Sequence, residues 1–265
     1  MRRLLALPLL ALVGCSPPPE APEELDDLLL FLFAEYDNED PRAMEDGVLN
    51  LRAFLDGIAA DDLALDASYD ARLWQPTLLT ADHYGSADPW SGADPTGQLP
   101  VMLATISAFS PAEHAALIPM VDQTPIESSS SNVYDRTIDG DADAFLAGDV
   151  DVLMTSNSIH RQNLLLDLFY DAPKQFRWVT TDAGDALVTR SWIQQQFTGV
   201  EGTNTLDQFN SVEVMIPIDG GSYQTTTLWG QTTLSPAVDD TILINTVRNG
   251  MQESFENSEA HLEAN

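Results

Sequence analysis

Residues 212–222 carry the pattern that most restricts what this chain can fold into. Val212, Val214, Ile216 and Ile218 alternate with other residues, so a strand would place all four on one face. Asp219-Gly220-Gly221-Ser222 follows at once, and its glycines tolerate the positive φ of a tight hairpin turn. Tyr223–Leu234, rich in threonine, then reads as the returning strand. Upstream, Phe176, Trp178 and Thr180 alternate with Arg177 and Val179, and "DAGD" at 182–185 marks a turn. Leu187–Phe197 forms another extended run, and these four segments predict an antiparallel meander. A further short strand is expected over Val150–Met154.

The periodicity changes on either side of the meander. Ser235-Pro236 is expected to open a last helix, in which Leu243, Val247, Met251 and Phe255 recur every four residues. Asp239 and Asp240 suit its positive end, and Asn249-Gly250 is expected to bend or end it. Near the start, Leu25, Leu28, Leu29, Leu32, Phe33 and Tyr36 follow helical spacing, and Leu30 and Phe31 widen the stripe. Asp40-Pro41 reads as cap and first residue of a second helix. Its seam is Met44, Val48, Leu51, Leu55 and Ile58, weakened slightly by Gly47 and Gly57. The two helices are expected to pair as a hairpin. Residues 61–100 lose this periodicity, and "GSADPWSGADPTGQLP" reads as loop, with Trp74, Tyr84 and Trp90 either pinning it or forming a lid. Ser110-Pro111-Ala112-Glu113 has capping-box spacing, and "ESSSSN" at 127–132 reads as a flexible connection.

The expected fold class is therefore α+β: N-terminal helices, then an antiparallel β-meander with a long C-terminal helix packed on it. Helix-grip folds that enclose apolar ligands share this outline, a likeness carried by the order of elements alone. The expected division is a signal segment over 1–14, a Pro-rich tether over 15–24 and one domain over 25–265. Within that domain, 25–126 is the helical part and 132–265 the sheet with its terminal helix.

The first fifteen residues have a separate logic. Arg2 and Arg3 precede an apolar stretch, Leu4–Val13, which is too short to span a bilayer. It has the length of a signal-peptide hydrophobic region. Leu12-Val13-Gly14-Cys15 resembles the lipobox of bacterial lipoproteins. That resemblance implies cleavage before Cys15 and acylation of its thiol, a palmitate-type anchor in the cell envelope. Ser16, rather than aspartate, implies sorting to the outer membrane, facing the periplasm or the exterior. An ordinary secretory signal is the alternative. Two or three acyl chains would anchor the protein stably, since one chain alone binds only marginally. Pro17, Pro18, Pro19 and Pro22 make the following segment an extended spacer. Cys15 is the sole cysteine, so no disulfide within the chain is available to the fold.

Charge excludes several functions. The chain has 42 acidic and 11 basic residues, a formal net charge of −31, and Lys174 is its one lysine. Such a field opposes nucleic acid, which needs Lys and Arg against its phosphates. It equally opposes docking on anionic head groups. A solvated acidic surface is the plain reading.

No motif carries a reaction. Asp139, Asp141 and Asp143 have the first spacings of a calcium loop, but Ala144 and Val150 stand where an EF-hand needs glycine and glutamate. An acidic surface turn is the competing reading. His83, His114, His160 and His261 are not spaced as zinc ligands, and no G-x-S-x-G elbow or dinucleotide fingerprint occurs. His160-Arg161, with Asn157 and Asn163 nearby, forms a polar group that either lines a pocket or ends a strand. No catalytic, cofactor or metal residue is singled out, and Cys15 is the one modification site. The expectation is a lipid-anchored binding protein that encloses an apolar small molecule and has no nucleic-acid partner. A hydrolase with serine, histidine and acid brought together from distant positions is the alternative, and a histidine reaching both a serine and an acid in a cleft would favour it.

Overall fold

The computed structural model describes residues 19–265 except Ser86, Asp88, Ser91 and Ala93. The signal segment 1–14, Cys15 and the first part of the tether lie outside the described residues.

The chain begins with the expected hairpin, α1 (Leu25–Ala34) and α2 (Pro41–Asp56). Asp40 caps α2 by accepting from the Arg42 N–H at 3.1 Å. Met44, Val48, Leu51 and Leu55 are all fully buried. Gly47 is needed where it stands: a Cβ there would meet Leu32 Cδ2 at 2.9 Å, so glycine lets the two helices touch. Ala21 and Pro22, at the end of the expected tether, are already docked, since their carbonyls accept from Asn50 Nδ2 at 3.0 Å.

The short helix α3 (Ala60–Leu63) and the strands β1 (Leu73–Trp74) and β2 (Leu99–Ser107) follow. The expected helical part over 25–126 thus contains two strands. Leu99–Ile106 is a nearly continuous apolar run because β2 is covered on both faces, which erases the alternation that marks a one-sided strand. Aromatic residues pin the long loop: Trp74 packs edge-on against Phe54 and Tyr84 packs on the same core, while the backbone N–H of Trp90 donates to the Ile193 carbonyl at 2.9 Å. Ser110 and Glu113 form the capping box of α4 (Pro111–Ala115).

The remaining strands are β3 (Ser131–Asp139), β4 (Val152–Gln162), β5 (Asp167–Thr181), β6 (Gly184–Trp192), β7 (Phe197–Thr198), β8 (Thr205–Ile218) and β9 (Gly221–Thr233), with α5 (Ala142–Leu146) between β3 and β4. All pairings are antiparallel, in the order β1-β2-β9-β8-β6-β5-β4-β3, and β7 pairs with β8. The meander is longer than its sequence signal, running from β3 to β9, and β2 joins it on the far side of β9. α6 (Asp240–Ala264) closes the chain. Its cap is Asp239, which accepts from the Thr241 N–H at 2.9 Å, so the helix opens later than Ser235-Pro236. It continues unbroken through Asn249-Gly250.

The sheet works on both faces. Val212, Val214 and Ile216 face α1 and α2, in one core with Leu28, Leu32 and Leu51. Each such buried aliphatic side chain contributes about 1.5–3 kcal/mol. The sequence places these residues on one face, and the structure turns that face toward the helical hairpin. The opposite positions on β8, Ser211, Glu213 and Met215, look toward α6. The molecule is therefore layered as helical hairpin, sheet and terminal helix, an α+β helix-grip arrangement. Arg190 rivets the first two layers together. It is fully buried, donates to the Phe33 carbonyl at 3.1 Å and to Asp37 and Gln175, and lies over the Tyr36 ring at 4.6 Å.

A chamber between the sheet and the terminal helix

Between the concave face of the sheet and α6 lies a cavity of about 470 Å³, within the range of small-molecule sites. Its walls are mainly aliphatic and aromatic, with Leu168, Tyr170, Phe176, Leu187 and Leu206 rising from the strands. Its roof is the sequence stripe of α6: Leu243, Val247, Met251 and Phe255 all line it. The first three are only half-buried, because they look into open space rather than into a filled core. The serine segment expected to be a flexible connection forms part of the wall. Ser128 and Ser130 line the cavity, Asn257 Nδ2 donates to the Glu127 carbonyl at 2.6 Å, and Ser129 donates to Glu253.

Two polar knots hold α6 down beyond the roof. Arg72, itself fully buried, donates to Gln252 and to the Leu65 and Ala64 carbonyls, tying the helix to the segment after α3. Two turns further, Glu259 accepts from Ser107 Oγ and from the Ala108 N–H at 3.2 Å. Ser107 Oγ also lies 2.8 Å from His114 Nε2, and Gln224 Nε2 approaches the same ring.

This second knot joins a serine, a histidine and an acid, the set that the hydrolase alternative requires. Its geometry does not serve that chemistry. In a hydrolytic triad the serine and the acid occupy opposite nitrogens of the ring. Here Glu259 Oε1, at 3.6 Å, crowds the same Nε2 that faces Ser107. The Ser107 proton goes to Glu259, and Ser107 is only 1% exposed, so no substrate carbonyl can reach its oxygen. The knot is a fastening.

The other sequence candidates separate cleanly. His83 closes a short turn with Thr80 at 3.1 Å. His160 bonds Asp167 at 2.8 Å and stacks on Phe169 at 3.9 Å. Arg161 and Asn163 line the cavity, while Asn157 braces Arg136 from beneath. Asp141 is the cap of α5, accepting from the Ala144 N–H at 3.0 Å, and Asp139 accepts from Ser156 at the end of β3. These bonds make the acidic turn a capped helix start, and no three metal-ligating side chains converge among the described residues.

The charges inside the chamber were not legible as a site. Arg136, Arg161 and Lys174 line it together with Glu127, Glu213 and Glu253, an even balance in a chain where acids outnumber bases 42 to 11. Lys174 Nζ sits 2.8 Å from both carboxylate oxygens of Glu213. Arg161 lies 3.8 Å from Glu127, whose carboxyl burial pushes up despite the nearby guanidinium. Burial likewise raises the hydroxyls of Tyr134 and Tyr170, so both remain protonated. The usable signal was parity. Tyr134 and Arg136 on β3, and Tyr170, Ala172 and Lys174 on β5, occupy alternate positions that share the inward face.

By sequence, neither a family model nor a curated protein matches the chain. Solved structures similar to it include a STAR-related lipid transfer protein from Xanthomonas axonopodis, with 10% identity, TM-score 0.44, and 66% of this chain and 99% of that one covered. A START superfamily protein from Mycobacterium smegmatis has 10% identity and TM-score 0.39, covering 63% and 99%. Human STARD10 has 8% identity and TM-score 0.37, covering 70% and 68%.

Proposed function

We propose that this protein is a binding protein that holds an apolar small molecule in the chamber beneath α6, and that acylated Cys15 tethers it to the cell envelope. The chamber carries the reading. A core left open over about 470 Å³ forgoes contacts that a packed interior would make, and an apolar ligand supplies them. The Ser107–His114–Glu259 geometry supports binding over hydrolysis. The lipobox resemblance and the Pro-rich segment support the tether, with the docked Ala21-Pro22 marking where the folded body begins.

Ala172 provides the test. It lines the cavity floor on β5, and phenylalanine there would grow into the open volume. Titration with the neutral fluorophore N-phenylnaphthylamine should show saturable binding to the natural chain. Ala172→Phe should weaken it about tenfold or more while the melting temperature changes little, because the added ring fills space instead of overpacking. Absence of binding to the natural chain, or undiminished binding to Ala172→Phe, would overturn the proposal.

A further inference from the structure

We infer that the chamber's ligand carries a carboxylate, and that the guanidinium of Arg136 receives it. The inference rests on the binding role proposed above and names the chemical class of the ligand.

Arg136 is 6% exposed and faces the cavity from β3. Its Nε donates to Asn157 Oδ1 at 2.9 Å and its Nη1 to the Ile118 carbonyl at 3.2 Å. Both acceptors are neutral. Among the described residues no carboxylate lies within 4.0 Å of this guanidinium, whereas Lys174 and Arg161 each have one. A guanidinium has five N–H donors, so these two bonds and its contact with the Tyr134 hydroxyl still leave Nη donors for a carboxylate. Neighbouring groups stiffen the side chain: its guanidinium carbon lies 5.2 Å from the Phe176 ring centre and 5.8 Å from that of Tyr134.

The chamber's carboxylates Glu127 and Glu213 already face Arg161 and Lys174, so Arg136 is the cation left to contact a charge that the ligand brings. The register shows where that charge would sit. Arg136 pairs with Asn157, and Asn157 with Ala172, while the next inward row is Tyr134, Ile159 and Tyr170. The guanidinium thus adjoins Tyr134, whose hydroxyl burial keeps protonated, and aliphatic walls continue away from it under α6. One charged end with a long apolar remainder describes an amphiphilic monocarboxylate, such as a fatty acid.

The experiment compares dodecanoate with dodecanol, two ligands of equal chain length, by displacement of N-phenylnaphthylamine at neutral pH. The natural chain should prefer the carboxylate by about tenfold or more. Arg136→Gln should bring that ratio near unity, and Arg136→Lys should keep part of the preference. The natural-chain ratio stands even if a variant fails to fold. Dodecanol binding as tightly as dodecanoate to the natural chain, or a ratio unmoved by Arg136→Gln, would overturn the inference and leave the binding role standing. Failure of both ligands and of the fluorophore to bind would overturn the binding role as well.

Discussion

At the scale of single residues, the stability of the closed molecule depends on a few buried polar groups. Glu259 is the clearest case. Burial works against its charge, yet bonds from His114, Ser107 and the Ala108 N–H more than offset this and hold its carboxyl below the ordinary value of 4.5. A carboxyl depressed by folding adds stability that is complete above that ordinary value and is lost as pH falls through the lower folded one. Glu259→Gln should therefore cost about 1–3 kcal/mol at neutral pH. The cost should shrink as pH drops below 4.5. Urea unfolding of both chains across that range measures it, and a gap that stays constant into acid would contradict the assignment. Little of this was visible in sequence. Ser107, His114 and Glu259 are separated by up to 152 positions, and no local spacing announces such a knot.

At the scale of elements, α6 has two halves with different duties. From Gln252 onward it is bound by Arg72, by the Glu127 carbonyl and by the Glu259 knot, with Phe255 still in the roof, whereas Leu243–Met251 spans the chamber with Arg248 facing Asp70 at 3.6 Å. Amides of residues 241–251 should exchange with deuterium faster than those of 252–262. A bound apolar ligand should slow the first set selectively. Uniform protection along the helix, unchanged by ligand, would contradict the division. The helix itself was legible, since Leu243, Val247, Met251 and Phe255 declare one apolar face. What that face covers was not, because a stripe over a filled core and a stripe over a cavity read alike. The same limit hid β2, whose two covered faces remove alternation, and left open which layer Val212, Val214 and Ile216 would meet. Local cues that depend on a few neighbours, such as the Asp219-Gly220 turn and the Ser110–Glu113 box, were readable outright.

At the scale of the whole molecule, one sheet serves two interiors: a filled core under α1 and α2, and an open chamber under α6. The filled side gives rigidity, with Arg190 and the helical hairpin backing the strands that line the chamber. Charge is divided in the same spirit. The acids lie mostly outside, and in the chamber Arg136, Arg161 and Lys174 are matched by Glu127, Glu213 and Glu253. No helix among the described residues is long and apolar enough to cross a membrane. Attachment to a bilayer through Cys15 is proposed on the lipobox resemblance alone. Cys15→Ser should move the protein from the membrane fraction to the soluble fraction, and unchanged fractionation would remove the anchor from the account.

The binding role is tested most directly by native mass spectrometry of the protein purified from its own cells without delipidation. The account predicts a noncovalent adduct of small-molecule mass, released on collisional activation and depleted in Ala172→Phe. A spectrum showing only the mass of the bare chain, in a protein that also fails to take up N-phenylnaphthylamine, would contradict it.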